Sequence, residues 1–340
     1  MYDARPVRHA LAAALTSAAV LAGALAACGA PPRTGGPAPP PFTQQRSSVP
    51  PLPSATSLPR TRLAGFSVPG YPPDPSALDS AETATKIHAN IVSWYTPLSQ
   101  PFDPGAAAQV ASGGALPVLE IDSDSTPLSS IASGDWDGFL TGYARAVAAY
   151  GAPIAIDFDH EFNGNWSVWG PRLNTARSFV AAWRRIVTIF RRTGADNVIW
   201  VWNPNVNAPN VADMRPWYPG DQYVTWTGID GYFFTRGDTY ASVFPATLRE
   251  LATITAKPVL IVETGASPGP GRAAQITSLF AGLRNAGNVI GVIWFDYDKG
   301  TGDNWRLEDD AASVSAFRAG AGAYIKQSVA AKGVGNTRSG

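Results

Sequence analysis

APIAIDFDHEFNGNWSVWG, residues 152 to 170, divides into two unlike halves. Ala152 to Ile156 is a short apolar run of strand type, with β-branched Ile154 and Ile156. Polar groups crowd directly behind it: Asp157, Asp159, His160, Glu161 and Asn163, followed by Trp166 and Trp169. An apolar run with so little alternation is expected of a strand covered on both faces, as in a parallel sheet. The polar cluster then sits where a strand stops and a loop begins, the edge at which α/β folds handle ligands.

Seven further runs repeat the pattern: Leu63–Val68, Ile87–Trp94, Leu116–Ile121, Val198–Trp202, Trp226–Tyr232, Val259–Val262 and Val289–Phe295. Ile154–Phe158 takes the fourth place among them. Between the fourth and fifth runs, Phe179, Trp183, Ile186, Val187 and Phe190 recur at helical spacing, and Thr193-Gly194 ends that helix. Arg184, Arg185, Arg191 and Arg192 read as its solvated face. Eight strand–helix units between residues 61 and 325 predict an α/β fold of the (β/α)8 TIM barrel type. A doubly wound open sheet would carry a glycine-rich nucleotide loop after its first strand, and Ser67-Val68-Pro69-Gly70-Tyr71 is not one.

The 340 residues are 45% hydrophobic and 15% charged, a globular mixture. Basic and acidic side chains number 26 each, so no strong field favours nucleic acid, and neither a nucleic-acid partner nor a cofactor is expected. Eleven tryptophans supply flat faces with a polar edge, suited to sugar stacking as well as to core packing. A monomer is expected.

Cys28 is the one cysteine, which excludes an internal disulfide. Arg5 and Arg8 precede an apolar run from Leu11 to Ala27, so residues 1–27 read as a secretory signal. The ending Leu25-Ala26-Ala27-Cys28 resembles a bacterial lipobox, which implies cleavage before Cys28, lipidation of its thiol and an extracytoplasmic protein anchored to the membrane or secreted. Residues 28–60, dense in Pro, Gly, Ser and Thr, read as a tether, residues 61–325 as the folded domain, and residues 326–340 as a tail.

Glu161 follows the fourth run and Glu263 the seventh, so a barrel places both at one rim. Two acids facing one cleft, one protonated and one ionised, are what glycosidic cleavage requires. A separation of roughly 5–5.5 Å would make one of them a covalent nucleophile, with retention of configuration. The alternative is that each caps a helix or pairs with an arginine.

His160-Glu161-Phe162-Asn163-Gly164 with Trp166 and Trp169-Gly170 resembles the acid/base motif of glycoside hydrolase family 26, the β-mannanase family of clan A. Trp94-Tyr95 before Pro101-Phe102-Asp103, Ile131-Ala132-Ser133-Gly134, Trp202-Asn203-Pro204-Asn205 and Tyr218-Pro219-Gly220-Asp221 are similar to family segments in the same order. So are Trp226-x-Gly228-x-Asp230-Gly231-Tyr232, Trp294-Phe295 and Asn304-Trp305-Arg306. The resemblance implies a retaining endo-β-glycosidase acting on a β-1,4-mannan-like polysaccharide, with Glu161 as acid/base and Glu263 as nucleophile. It implies that Tyr232 orients Glu263, that His160 lines the site and that Trp294 floors the subsite of the reacting sugar. Trp166 and Trp169 are sugar platforms or loop pins, and Asn163 a sugar donor or a loop cap.

The motif also departs from its family. An Arg commonly stands three residues before the motif's His, where this chain has Asp157. If the strand continued, Asp157, Asp159 and Glu161 would all face the barrel interior, with Arg62 or Arg306 as available partners. Glu120-Ile121-Asp122-Ser123-Asp124 brings more acid to the same rim. The excess of acid is compatible with a bound cation, but no ligand spacing supports one strongly, and no metal is assigned. The excess acid leaves β-1,3-xylan or mixed-linkage β-glucan open as substrates. From other classes, a sugar-binding lipoprotein serving a transporter and a barrel that binds carbohydrate without cleaving it remain alternatives.

Overall fold

The computed structural model describes residues 58–300 and 304–329. The signal run, the lipobox with Cys28, the tether up to residue 57 and the tail beyond residue 329 lie outside the described residues.

Strands β1 (Leu63–Ser67), β2 (Ile91–Pro97), β3 (Leu116–Asp122), β4 (Ile154–Phe158), β5 (Val198–Trp202), β6 (Trp226–Asp230), β7 (Val259–Thr264) and β8 (Val289–Phe295) are all parallel. They pair in chain order, and β1 closes on β8. Helices α1 (Ser76–Thr85), α2 (Pro104–Ser112), α3 (Leu128–Ser133), α4 (Asp137–Tyr150), α5 (Ala176–Arg192), α6 (Tyr240–Val243), α7 (Pro245–Ile254), α8 (Arg272–Asn285) and α9 (Ala311–Tyr324) wrap the outside. The TIM barrel expected from the apolar runs is the fold observed. One unit lacks its α-helix: β5 leads to β6 through two short 3-10 turns, Arg215–Trp217 and Asp221–Tyr223. Pro204, Pro209, Pro216 and Pro219 punctuate that connection and deny a helix its backbone donors.

Two apolar layers follow from the two-residue period of the strands. Inward positions such as Leu63, Ile91, Val118, Ala155, Ile199, Leu260 and Ile293 fill the barrel. Outward positions such as Phe66, Ile156, Trp200, Ile261 and Trp294 pack under the helices. Helix α5 starts at a capping box of Thr175 and Ser178 and buries Phe179, Trp183, Ile186, Val187 and Phe190, as its spacing predicts.

Three of its four arginines are not a free solvated face, while Arg192 is exposed. Arg185 forks onto Asp137 at 2.6 and 2.7 Å, Arg184 donates to the Pro219 carbonyl at 2.8 Å, and Arg191 donates to the Gln222 carbonyl at 2.6 Å. Guanidinium groups thus tie down the helix-free β5–β6 connection. The domain edges also reach further than 61–325. Thr61 pairs with Ser328, the Val329 amide donates to the Arg60 carbonyl at 3.1 Å, and Leu58 and Val329 pack against the inner core.

Candidate active site

Polar side chains replace apolar ones at the inward positions near the carboxyl ends of the strands. Ser93 and Tyr95 come from β2, Glu120 and Asp122 from β3, Asp157 from β4 and Asp230 from β6. Asn203 follows β5 directly, and its side-chain nitrogen donates to Asp157 Oδ2 at 2.8 Å and to Asp230 Oδ2 at 2.9 Å. Gly228 makes that possible, because a Cβ there would lie 2.5 Å from the Asn203 side-chain oxygen.

Asp230 in turn places the seventh-strand acid. Its Oδ1 accepts from the Glu263 amide at 2.9 Å, where the β6–β7 register shifts by a bulge. The Glu263 carboxylate accepts from the Tyr95 phenol on one oxygen and from the Tyr232 phenol on the other. His160 lies between two acids, Nδ1 at 3.2 Å from Asp122 Oδ1 and Nε2 at 3.8 Å from Glu263 Oε1. Burial opposes protonation of His160, but the charges of Asp122, Glu263 and Glu120 outweigh it and raise its pKa well above the ordinary value.

Glu161 is held from the other side. The Asn205 side-chain nitrogen donates to Oε1, and the Trp166 indole donates to Oε2 at 2.6 Å. Gly164 lets the Trp166 ring lie across the loop, since a Cβ there would come within 2.3 Å of it. Asn163 is fully buried, and both ends of its amide serve the Asn205 backbone, at 2.8 and 3.1 Å. It therefore fixes the residue that holds Glu161 and has no face for a sugar. Trp169 is 6% exposed and donates to the His160 carbonyl at 2.7 Å, which pins the loop.

Three expectations need correction. Trp294 is fully buried on the outward side of β8, its indole donating to the Trp305 carbonyl at 2.9 Å and its ring 5.8 Å from Phe317 of α9. Neighbouring Phe295 takes the inward position, with Tyr232 and Trp305 around it. Asp157, Asp159 and Glu161 do not share one face, because β4 ends at Phe158 and the chain turns through positive φ at Asp159 (55°) and Glu161 (49°). That turn sends Asp159 to the Ser123 amide, at 2.7 Å, and brings His160 and Glu161 to the same site. The proposed arginine partners are elsewhere. Arg62 donates to carbonyls of Gly287 and Val289, and Arg306 lies 3.6 Å from Glu308.

The electrostatics separate the two glutamates, each nearly buried at 5% and 6% exposure. Burial raises the Glu161 carboxyl above the usual carboxylate range, and the charge of Glu263 raises it further, against smaller pulls from His160, Asn205 and Trp166. Burial also pushes Glu263 up. There the charge of His160, the phenols of Tyr232 and Tyr95, and the Lys299 ammonium together outweigh it, so Glu263 sits below its ordinary value. Burial raises Glu120, Asp157 and Asp230 as well, Asp157 to about 8, and the charge of His160 opposes it at all three without outweighing it.

Glu120, His160 and Glu263 also bring ligand-type atoms within 4.8 Å of one another, the one arrangement of this kind among the described residues. A metal there would occupy the Glu263 carboxylate.

Residues 140–304 match the family model described as glycosyl hydrolase family 26. Endoglucanase H of Acetivibrio thermocellus is 33% identical over 274 residues, 75% of this chain and 30% of that one. A mannan endo-1,4-beta-mannosidase of Bacillus subtilis is 33% identical over 117 residues, 32% of this chain and 29% of that one. The chain therefore spans less than a third of the length of these two relatives. Among solved structures, a modular endo-beta-1,4-mannanase from Cellulomonas fimi superposes with a TM-score of 0.60 at 18% identity, covering 80% of this chain and 75% of that one. A GH26 beta-mannanase from Bacteroides ovatus gives 0.58 at 17%, covering 80% and 92%. These structures share the fold. Residues 140–304, which include Glu161, Tyr232 and Glu263, are thus similar to glycosyl hydrolase family 26.

Proposed function

We propose that this domain is a retaining endo-β-glycosidase that cleaves a β-1,4-mannan-type polysaccharide by double displacement. The observation that carries the reading is the pair of buried carboxyls at the ends of β4 and β7, Glu161 held by Asn205 and Trp166 and Glu263 by two phenols, surroundings that displace Glu161 upward and Glu263 downward. A raised carboxyl keeps the proton that the leaving oxygen needs, while a lowered one stays ionised for attack on the anomeric carbon. In the first step Glu263 forms a glycosyl ester as Glu161 protonates the departing sugar oxygen. Esterification removes the Glu263 charge that helped hold the Glu161 proton. Glu161, now a carboxylate, takes a proton from the incoming water as the water oxygen bonds to the anomeric carbon, and Glu263 departs as carboxylate with net retention. Tyr95 and Tyr232 hold Glu263 in place, and Asn205 and Trp166 hold Glu161.

The test is reducing-end release from mannan by the wild type and by Glu161→Ala and Glu263→Ala, with azide added to each variant on an activated aryl glycoside. A glycosyl azide of inverted configuration from Glu263→Ala and of retained configuration from Glu161→Ala supports the roles. Equal activity in all three proteins removes them.

A β-glucan substrate is the second reading. It is favoured by the longer sequence match, which is to a protein named endoglucanase, and by Asp157 at the position where the family commonly has Arg. Mannan, mixed-linkage β-glucan and β-1,3-xylan assayed side by side decide among them. Placement outside the cytoplasm, tethered through Cys28, belongs to the same proposal and rests on the sequence of residues 5–28. Loss of lipid labelling in Cys28→Ala tests it.

A further inference from the structure

We propose that Phe234 is a sugar platform: a fixed aromatic face at the mouth of the cleft that stacks on one β-linked pyranose ring of the polysaccharide, beside the sugar that is cleaved. The proposal rests on the glycosidase reading and adds a binding subsite to it.

Backbone pairing between β6 and β7 continues beyond β6. The Gly231 amide donates to the Glu263 carbonyl at 3.1 Å, the Phe233 amide to the Gly265 carbonyl at 2.9 Å, and the Ser267 amide to the Phe233 carbonyl at 2.9 Å. A paired, extended chain alternates its side chains. Phe233 accordingly points out of the barrel, fully buried with its ring 5.9 Å from Phe244. Tyr232 and Phe234 take the opposite face, stacked upward from the site. The Tyr232 phenol reaches Glu263, and the Phe234 ring lies 5.8 Å beyond the Tyr232 ring at an angle of 33°. That spacing is about one sugar unit along a chain.

Phe234 is 49% exposed, and it is the aromatic member of the three large apolar side chains exposed among the described residues. A single exposed apolar residue needs no explanation by itself. Here the residue that follows fixes the backbone that carries the ring. Asp238 accepts from the Thr235 amide at 2.8 Å and from its hydroxyl at 2.9 Å, while Gln275 of α8 donates to the Thr235 carbonyl at 2.7 Å. A ring on a fixed backbone loses less freedom on binding, and its face suits the C–H surface of a pyranose.

The experiment uses a Glu161→Gln background, which blocks turnover, and measures the affinity for mannohexaose and cellohexaose by calorimetry. Adding Phe234→Ala is expected to weaken the hexasaccharide that binds by roughly tenfold, from the half ring face left uncovered. Phe234→Trp is expected to restore the affinity. Equal affinity with and without the ring overturns the platform, as does loss in the alanine variant that tryptophan fails to restore, or no binding of either sugar. Hydrolysis by the protein with Glu161 intact is scored separately. Binding through Phe234 without hydrolysis would sink the glycosidase reading and leave the platform standing, whereas hydrolysis with Phe234-independent affinity would sink the platform alone.

Discussion

Tyr232→Phe probes how the charge on Glu263 is kept. The phenol donates to a carboxylate with 6% exposure, and its hydrogen bond is among the causes that hold Glu263 low. A hydrogen bond to a charged group contributes about 1.5–3 kcal/mol, and the neutral acid keeps part of it. The difference between the two protonation states is then about 1.4 kcal/mol, or roughly one pH unit. The sign follows from the chemistry. Attack needs ionised Glu263, so its pKa sets the acid limb of kcat/KM, and losing a donor to the ionised form raises that pKa.

The acid limb should therefore move to higher pH by about one unit in Tyr232→Phe. Tyr95→Phe should move it the same way, because Tyr95 serves the other oxygen. The alkaline limb reports Glu161, which must stay protonated, and it should not move, because Glu263 is fully ionised there in all three proteins. The two limbs belong to a coupled pair and are read as macroscopic values. The assay is initial-rate hydrolysis at limiting substrate across both limbs, with the melting curve as a check on folding. An acid limb that stays put in both variants, or moves to lower pH, refutes the account of how Glu263 is held.

Removing the amide that holds Glu161, in Asn205→Ala, should move the alkaline limb upward and leave the acid limb in place, since Asn205 favours the ionised form of Glu161; a downward move counts against the acid assignment. Asn203→Ala leaves the buried oxygens of Asp157 and Asp230 without their shared donor and should cost about 1–3 kcal/mol in urea unfolding, against no change if that bridge contributes nothing. Asp157 titrates at about 8 in the folded chain and near 3.9 when unfolded, so the stability it contributes is present below pH ~4 and lost as pH rises through ~8. Asp157→Asn should then flatten the fall of the melting temperature over that window, and an identical slope in both proteins would contradict it.

The strands were legible because parallel strands buried on two faces need unbroken apolar runs. Val198–Trp202 and Val289–Phe295 begin and end where those runs do. The second run misled by its start. Ile87 is apolar and buried but belongs to the connection after Lys86, whose φ is 57°, and β2 begins at Ile91. Within the site, Glu161, Glu263, His160 and Tyr232 come together, and their motif is readable one letter at a time. Tyr95, Asn205, Asp122 and Asp230 were not singled out as site residues. Each comes from a different strand–loop unit than the group it serves, at separations of 168, 44, 38 and 33 positions, and only closure of the barrel brings them in. For Tyr95, Asn205 and Asp230 a signal existed, since all three stand in segments quoted for the family resemblance. Trp294 failed for a simpler reason. Adjacent residues on a strand face opposite ways, and in Trp294-Phe295 it is the phenylalanine that turns inward.

The surplus of acid in the barrel has a consistent physical sense once each carboxyl is placed. Glu120, Asp157 and Asp230 are fully buried beneath the site, and burial favours their neutral forms. As neutral acids they are dipoles that add little repulsion. Asp230 still accepts the Glu263 amide, and Asp157 still accepts from Asn203. Donors and positive charge converge on Glu263 instead: two phenols, His160, and the ammonium of Lys299 above the Phe295 ring at 4.7 Å. Negative charge is thereby concentrated on the carboxylate that has to attack, although the pocket is lined with acids. An arginine in place of Asp157 would supply part of that positive field directly. Here His160 carries it, raised by Asp122 from the opposite side, so the proton on His160 and the charge on Glu263 depend on each other.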